Sequence, residues 1–331
     1  MTTSRPIAEE TDPPRLQPEA RFDDLRIAVL VPCYNEAAAI AQVIAGFRQA
    51  LPQARILIFD NNSTDDTVAI AKKAGAETRH VLRQGKGNVV RRMFADVEAD
   101  LYLLVDGDAT YDAASAPKLI EKLLAEGLDM VVGARKDTAT EAYRPGHRFG
   151  NRVLTEFVAR IFGRAFNDIL SGYRVFSRRF VKSFPALSIG FEIETELTIH
   201  ALELRMPIAE VETPYYARPA GSASKLNTWR DGARILRMIL RLYQLQRPLA
   251  FFSWIAGTLA AVAVILSIPV LITFIDTGLV PRLPTAVLST GLMLLASLSL
   301  TCGLILDNVT RGRQEMKRLF YLGIEGIRRD S

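Results

Sequence analysis

The chain has 331 residues, 49% of them hydrophobic, and a formal net charge of +5, which allows one sizeable α/β domain plus something smaller. Two cysteines exclude a disulfide-stapled scaffold. No nucleic-acid-binding motif accompanies the basic excess, so nucleic acid is excluded as a partner.

The first 24 residues carry Pro6, Pro13, Pro14 and Pro18 among scattered acids, lack the apolar core of a signal peptide, and are expected to form a flexible tail. Apolar β-rich runs then alternate with helical patterns. Strands are predicted at 27–31, 56–59, 78–82, 101–105 and 130–132, with helices at 37–50, 65–73, 87–97 and 116–126 between them. That alternation is the signature of right-handed βαβ units and a mostly parallel, Rossmann-like α/β sheet. Beyond Gly133 the pattern loosens into a loop, followed by a helix at 148–162, a short strand at 174–176, a helix at 193–204 and a strand at 208–212.

Over 228–246, Arg230, Arg234, Arg237 and Arg241 fall on one helical face while Ile235, Met238, Ile239 and Leu242 gather on another. An interfacial helix lying on a bilayer has this pattern; a solvated basic face on a helix packed against the domain is the alternative. Residues 249–275 and 285–306 contain no charged side chain, and each run exceeds the roughly 20 residues that span a hydrocarbon core. Two transmembrane helices are therefore predicted. Arg230, Arg234, Arg237, Arg241 and Arg247 before the first and Arg311, Arg313, Lys317 and Arg318 after the second place both flanks, and with them the catalytic domain, on the cytoplasmic side. The same basic residues point to anionic lipid headgroups. The expected organisation is a tail at 1–24, a catalytic domain at 25–226, an interfacial helix at 227–247, a membrane hairpin at 248–307 and a basic tail at 308–331. Cys33 falls at a strand end and Cys302 inside a predicted span, so they do not pair, and a reducing cytoplasm fits.

Chemistry gathers at strand ends. Val31 gives way to Pro32-Cys33-Tyr34-Asn35-Glu36, Phe59 to Asp60-Asn61-Asn62-Ser63-Thr64-Asp65, and Val105 to Asp106-Gly107-Asp108. In a parallel sheet these ends share one edge, where ligands bind. Two acids there suit a hard divalent cation held against a diphosphate; taken alone, the Asp-Gly-Asp turn could equally cap the next helix. Asn61, Ser63 and Asp65 have capping as an alternative role, whereas Asp60 does not. Gly85-Lys86-Gly87 lacks the spacing of a P-loop.

These segments in this order, with Val132-Gly133-Ala134-Arg135, Asn167 to Arg174, and Glu212 to Arg218 followed by Gly221 to Lys225, resemble the family-two inverting nucleotide-sugar glycosyltransferases of GT-A fold. With two spans after them, the chain is most similar to the polyprenyl-phosphate branch, which includes dolichyl-phosphate mannose synthases and bacterial undecaprenyl-phosphate glycosyltransferases. The resemblance implies a nucleoside-diphosphate sugar donor held by Pro32, Tyr34, Asn35, Glu36, Asp60, Asn62, Lys86, Asp106, Gly107 and Asp108. Asp106 and Asp108 would coordinate Mg²⁺ or Mn²⁺. Thr110 stands where some relatives have glutamine, which removes a third side-chain ligand and leaves that position to water.

It further implies an acceptor side with Arg135, Arg148, Arg152, Arg218, Ser224 and Lys225 on a lipid phosphate. Asp168 would be either a general base or an orienting group, and Glu196 would hold an arginine or a loop. The implied activity is transfer of a sugar, from a UDP-sugar rather than GDP-mannose, to undecaprenyl or dolichyl phosphate at the cytoplasmic face of a bacterial inner membrane, with a homo-oligomer formed through the hairpin. Transfer to a glycolipid or polysaccharide hydroxyl is the rival activity. A non-catalytic membrane scaffold that kept the sugar-nucleotide pocket is the rival of another class.

Overall fold

A computed structural model describes residues 22–137, 156, 168–190, 192–219, 240, 241 and 243–326. The predicted tail over 1–21, the helix at 148–162 apart from Glu156, and most of the amphipathic segment 228–246 lie outside the described residues, as do Arg148, Arg152, Ser224 and Lys225.

The strands are β1 (Ile27–Cys33), β2 (Arg55–Asp60), β3 (Glu77–His80), β4 (Leu101–Leu104), β5 (Met130–Asp137), β6 (Arg174–Ser177) and β7 (Ile208–Tyr215). The helices are α1 (Ile40–Ala50), α2 (Thr67–Lys73), α3 (Lys86–Asp96), α4 (Ala116–Glu126), α5 (Arg178–Ser183), α6 (Ile193–Leu204), α7 (Pro248–Thr277) and α8 (Leu283–Leu322). One seven-stranded sheet runs β3-β2-β1-β4-β6-β5-β7. Only β6 is antiparallel to its neighbours, entering between β4 and β5. All four β4 residues are buried, as a central parallel strand covered on both faces requires. Helices α1, α2 and α4 cover one face, and α3, α5 and α6 the other.

Among the described residues the predicted elements occur in the expected order, joined by α5, which the sequence pattern does not predict, and the largest differences in length fall at β5 and β7. Sequence patterning ends β5 at 132 and β7 at 212, but the two pair in parallel out to Asp137 and Tyr215. Proline at 214 is tolerated because β7 is the edge strand, where a missing N–H costs no ladder bond. This topology places the ends of β1, β2 and β4, the start of β6 and the ends of β5 and β7 on one edge, so residues from six separate stretches meet there.

Both α7 and α8 are long and apolar enough to cross a membrane, and most of each apolar window is exposed rather than buried in a core. The 40 residues of α8 extend about 60 Å at 1.5 Å per residue, twice a hydrocarbon core. Its last turns, in the stretch predicted as a basic tail, are helical and reach the catalytic domain. Tyr321 Oη donates to Asp129 at 2.6 Å, the Arg179 guanidinium lies 4.5 Å above its ring, and Lys317 pairs with Glu203 at 2.7 Å. Asp129 is fully buried and also accepts from Ser177 and Arg179. It immediately precedes β5, so this anchorage grips the sheet edge opposite Asp106.

Tyr321→Phe keeps the ring under Arg179 but removes a hydrogen bond to a buried carboxylate. It is expected to cost about 1.5–3 kcal/mol, read as a lower melting temperature of the detergent-solubilised protein, with α8 losing protection from proteolysis first.

Candidate active site

The turn after β1 and the turn after β2 are laced together before any ligand is considered. Asn35, at positive φ, accepts from Thr64 N at 2.7 Å and donates its own N–H to Ser63. Glu36 N donates to Thr67 Oγ1, and Asp65 accepts from Ala37 N and Thr67 N. Asp65 therefore joins two turns as well as serving the start of α2. Hydrogen bonds hold its carboxyl below the usual aspartate range, with the Thr67 hydroxyl the largest favourable cause against a burial that opposes it. Asp60 is buried at the strand end, accepts from Ser63 N at 3.2 Å and faces His80 Nδ1 at 3.2 Å. Pro32 and Tyr34 flank it across the β1–β2 pair, with Tyr34 exposed.

Asn61 is not a helix cap. Its amide donates to the Val81 and Arg83 carbonyls at 2.9 Å and accepts from Gly85 N at 2.7 Å, while Asn62 donates to the Leu82 carbonyl and the Gln84 side chain. Together they brace the segment that launches α3. Lys86 opens that helix, and its side chain turns inward with 9% exposure. Its ammonium bonds Asp106 Oδ1 at 2.5 Å and also Glu194 Oε1. Burial works against the charge, but the two carboxylates hold the Lys86 pKa above the ordinary lysine value. Glu194 Oε2 has no hydrogen-bond partner among the described residues.

The glycines of these motifs answer to packing. A Cβ on Gly107 would lie 2.7 Å from Cys33 Sγ, and one on Gly172 would lie 2.5 Å from Asp106 Oδ2. Gly85 and Gly87 lie under the backbone of residues 188 and 189, and Gly87 N donates to the Ile189 carbonyl. The Gly-Lys-Gly turn thus spends that N–H on a loop. Burial pushes the Cys33 thiol well up, so it is an inert packing group.

Asp108 is buried. Thr110 supplies both its hydroxyl, at 2.6 Å, and its N–H to Oδ1, and Arg218 pairs with Oδ2 at 2.7 Å. Thr110 therefore buttresses the second acid, a role the sequence comparison with glutamine did not suggest. Asp168 forms a two-pronged pair with Arg135 at 2.6 and 2.7 Å, and the Arg135 guanidinium lies 5.6 Å from the Tyr215 ring. Arg174 lies beneath, fully buried, donating to the carbonyls of Ile169 and Ser171 and to Thr198; burial lowers its pKa to about 10, and it stays cationic at neutral pH. Glu196 accepts the N–H groups of Leu187 and Ser188, so it holds a loop rather than an arginine. A groove of about 490 Å³ reaches Asp106 between α1 and residues 109–117.

Among the described residues no set of three or more His, Cys, Asp or Glu side chains forms a metal cage. The donor chemistry still suits a hard cation: two carboxylates two residues apart, no soft ligand, and room for phosphate and water oxygens, which Mg²⁺ characteristically keeps. Glu194 and Arg174 carry no role in the sequence reading. Glu194 shares its helical face with Ile193, Leu197 and Ala201, all buried, and an acid on a buried face signals a buried cation.

The chain matches the profile of Glycosyl transferase family 2 over residues 28–184. It is 34% identical to Glycosyltransferase AglJ of Haloferax volcanii, over 88% of this chain and 97% of that protein. It is 28% identical to a Dolichyl-phosphate hexose transferase of the same organism, over 68% of this chain and 96% of that protein. Among solved structures it is similar to glucosyl-3-phosphoglycerate synthase from Mycobacterium tuberculosis in complex with Mn²⁺, uridine diphosphate and glucosyl-3-phosphoglycerate. That likeness has a TM-score of 0.55 and 25% identity over 68% of this chain and 81% of that one, and it assigns the sheet to the GT-A fold.

Removing the cation from the buried trio should be worse than removing cation and acid together. Lys86→Met is expected to destabilise by about 3–5 kcal/mol, because it leaves a buried carboxylate unpaired. Lys86→Met with Glu194→Gln should recover a measurable part of that loss in thermal unfolding.

Proposed function

We propose that this chain, which belongs to glycosyl transferase family 2, transfers a sugar with inversion from a nucleoside-diphosphate sugar to a polyprenyl phosphate at the cytoplasmic face of a membrane. The observation that carries the reading is the meeting of Asp106 and Asp108 with Lys86, Arg218 and the Arg135–Asp168 pair on one sheet edge. An acidic pair hemmed by cations suits a ligand that brings its own negative charge and, with it, a metal ion. A uridine donor is favoured, supported by the uridine diphosphate in the solved neighbour. A lipid phosphate acceptor is supported by the name of the dolichyl-phosphate relative and by α7 and α8.

In this reading Asp60 and the Pro32 to Glu36 turn take the base and ribose, with Asn35 and Asn62 fixing the turns around them. Asp106 and Asp108 would hold Mg²⁺ or Mn²⁺, which when bound neutralises charge growing on the leaving diphosphate. Lys86 supplies fixed positive charge at Asp106 without reorganisation. Arg218 leaves Asp108 for phosphate, a fair exchange because a guanidinium fork fits either anion. The acceptor phosphate oxygen attacks the anomeric carbon, a new carbon–oxygen bond forms, and the old one breaks with its electron pair leaving on the nucleoside diphosphate. The acceptor, largely dianionic near neutral pH by analogy with phosphorylated side chains, needs no base. Asp168 is engaged with Arg135 through both oxygens, which fits an orienting role.

The test is incubation of the purified protein with a panel of nucleotide sugars and undecaprenyl phosphate, followed by mass analysis of the lipid. Metal-dependent release of nucleoside diphosphate only in the presence of the lipid phosphate is expected, with Asp108→Ala lowering turnover about 100-fold or more. Equal transfer to a hydroxyl acceptor without lipid phosphate would sink the acceptor assignment.

Asp168→Asn separates the two roles of that residue. An orienting role predicts a KM for lipid phosphate raised about tenfold or more, with the pH profile of kcat unchanged; loss of an acidic limb from the profile would make Asp168 the base.

A further inference from the structure

Three large aliphatic side chains stand in solvent at the sheet edge that carries the site. Leu82 is 81% exposed, Leu187 67% and Ile189 65%. They belong to two segments that touch, since Gly87 N donates to the Ile189 carbonyl at 2.9 Å and Gly85 lies under the same carbonyl. Neither segment is slack. Asn61 and Asn62 hold the carbonyls of Val81, Leu82 and Arg83. Arg91 places two hydrogen bonds, at 2.8 and 2.6 Å, on the Ala186 carbonyl, and Glu196 takes the N–H groups of Leu187 and Ser188 at 2.8 and 2.7 Å.

A loop fastened this thoroughly could have turned its aliphatics inward, where burial removes apolar surface from water and is favourable. Displaying them costs that energy in water and recovers it against lipid. We propose that Leu82, Leu187 and Ile189 form a membrane-docking patch that enters the lipid interface beside the active-site edge. The proposal rests on the membrane-face reading above.

Three observations select lipid as the occupant. The same chain carries two helices long and apolar enough to cross a membrane. Strand β7 ends at this edge, at Tyr215, and α7 follows it in the sequence. Arg83, exposed beside Leu82, adds a cation suited to anionic headgroups, the pairing of apolar and basic groups that interfacial segments use. Because Lys86 lies four residues from Leu82 and its helix start is packed under residues 188 and 189, the patch sets the height of the site above the bilayer.

The test uses the full chain with Cys302→Ser; buried Cys33 stays in place. Leu82→Cys, Leu187→Cys, Ile189→Cys and, as a control on the opposite edge, Lys73→Cys each carry an environment-sensitive fluorophore. Each protein is placed in nanodiscs of phosphatidylethanolamine and phosphatidylglycerol with or without brominated acyl chains. The patch predicts blue-shifted emission and quenching at least about twofold stronger at 82, 187 and 189 than at 73. Quenching no stronger than at 73 overturns it. Quenching that arises only after undecaprenyl phosphate is added also overturns it, assigning these side chains to the acceptor's chain instead. The same nanodiscs are assayed for glycosylated lipid: quenching without product supports the patch and counts against the proposed function, and product without quenching does the reverse.

Discussion

The ammonium of Lys86, closed between Asp106 and Glu194, is the contact from which the rest of the site follows. A buried cation is tolerable only with carboxylates at hydrogen-bond distance, and here one comes from the end of β4 and the other from the first turn of α6. The pair therefore fixes α3, β4 and α6 relative to one another. It also dictates the glycines around it: Gly85 and Gly87 let residues 188 and 189 close over the lysine, and Gly172 lets the 168–174 segment lie against Asp106. Two carboxylates on one ammonium leave a surplus negative charge, and Glu194 Oε2 has no hydrogen-bond partner among the described residues. That surplus is an electrostatic reason for a further cation to favour the open side of Asp106.

The domain also grips the second of its two long apolar helices. At the sheet edge opposite the site the end of α8 closes on Asp129, Arg179 and Glu203. A single flexible connection would let the domain swing. The α8 anchorage restricts that motion, and a transferase gains from such restriction because orientation is set before the substrates meet.

Much of this was legible in the sequence because the alternation of apolar strands and amphipathic helices is a local signal. The helices 116–126 and 193–204 have the same limits in sequence pattern and structure. The extra length of β5 and β7 was not legible, since an edge ladder through Lys136, Asp137 and Pro214 depends on partners distant in sequence. The same limit applies to the site. Strand-end acids announce themselves, but the inward turn of Lys86, the buttress of Thr110 and the loop-bracing of Asn61 and Asn62 depend on which turn lies beside which. The continuation of α8 past its apolar stretch was hidden for a different reason: residues 307–322 are polar enough to read as tail, and only packing against the domain shows why Lys317 and Tyr321 are spaced one turn apart.

The choice between a phosphate and a hydroxyl acceptor turns on Asp168. A hydroxyl must lose a proton as it attacks, and a carboxylate serving as base needs a free lone pair aimed at that proton. Both Asp168 oxygens are engaged with the Arg135 guanidinium, and Oδ2 also accepts the Arg135 N–H at 3.3 Å, so the carboxylate is already committed to holding that arginine. What the pair does present is an arginine locked in place beside Tyr215, with its orientation fixed in advance. A pre-set guanidinium is of little use to an alcohol and of considerable use to a dianion approaching a second anion, where the cost to overcome is mutual repulsion. The geometry of this one ion pair is thus a ground for proposing a phosphate as the group that attacks.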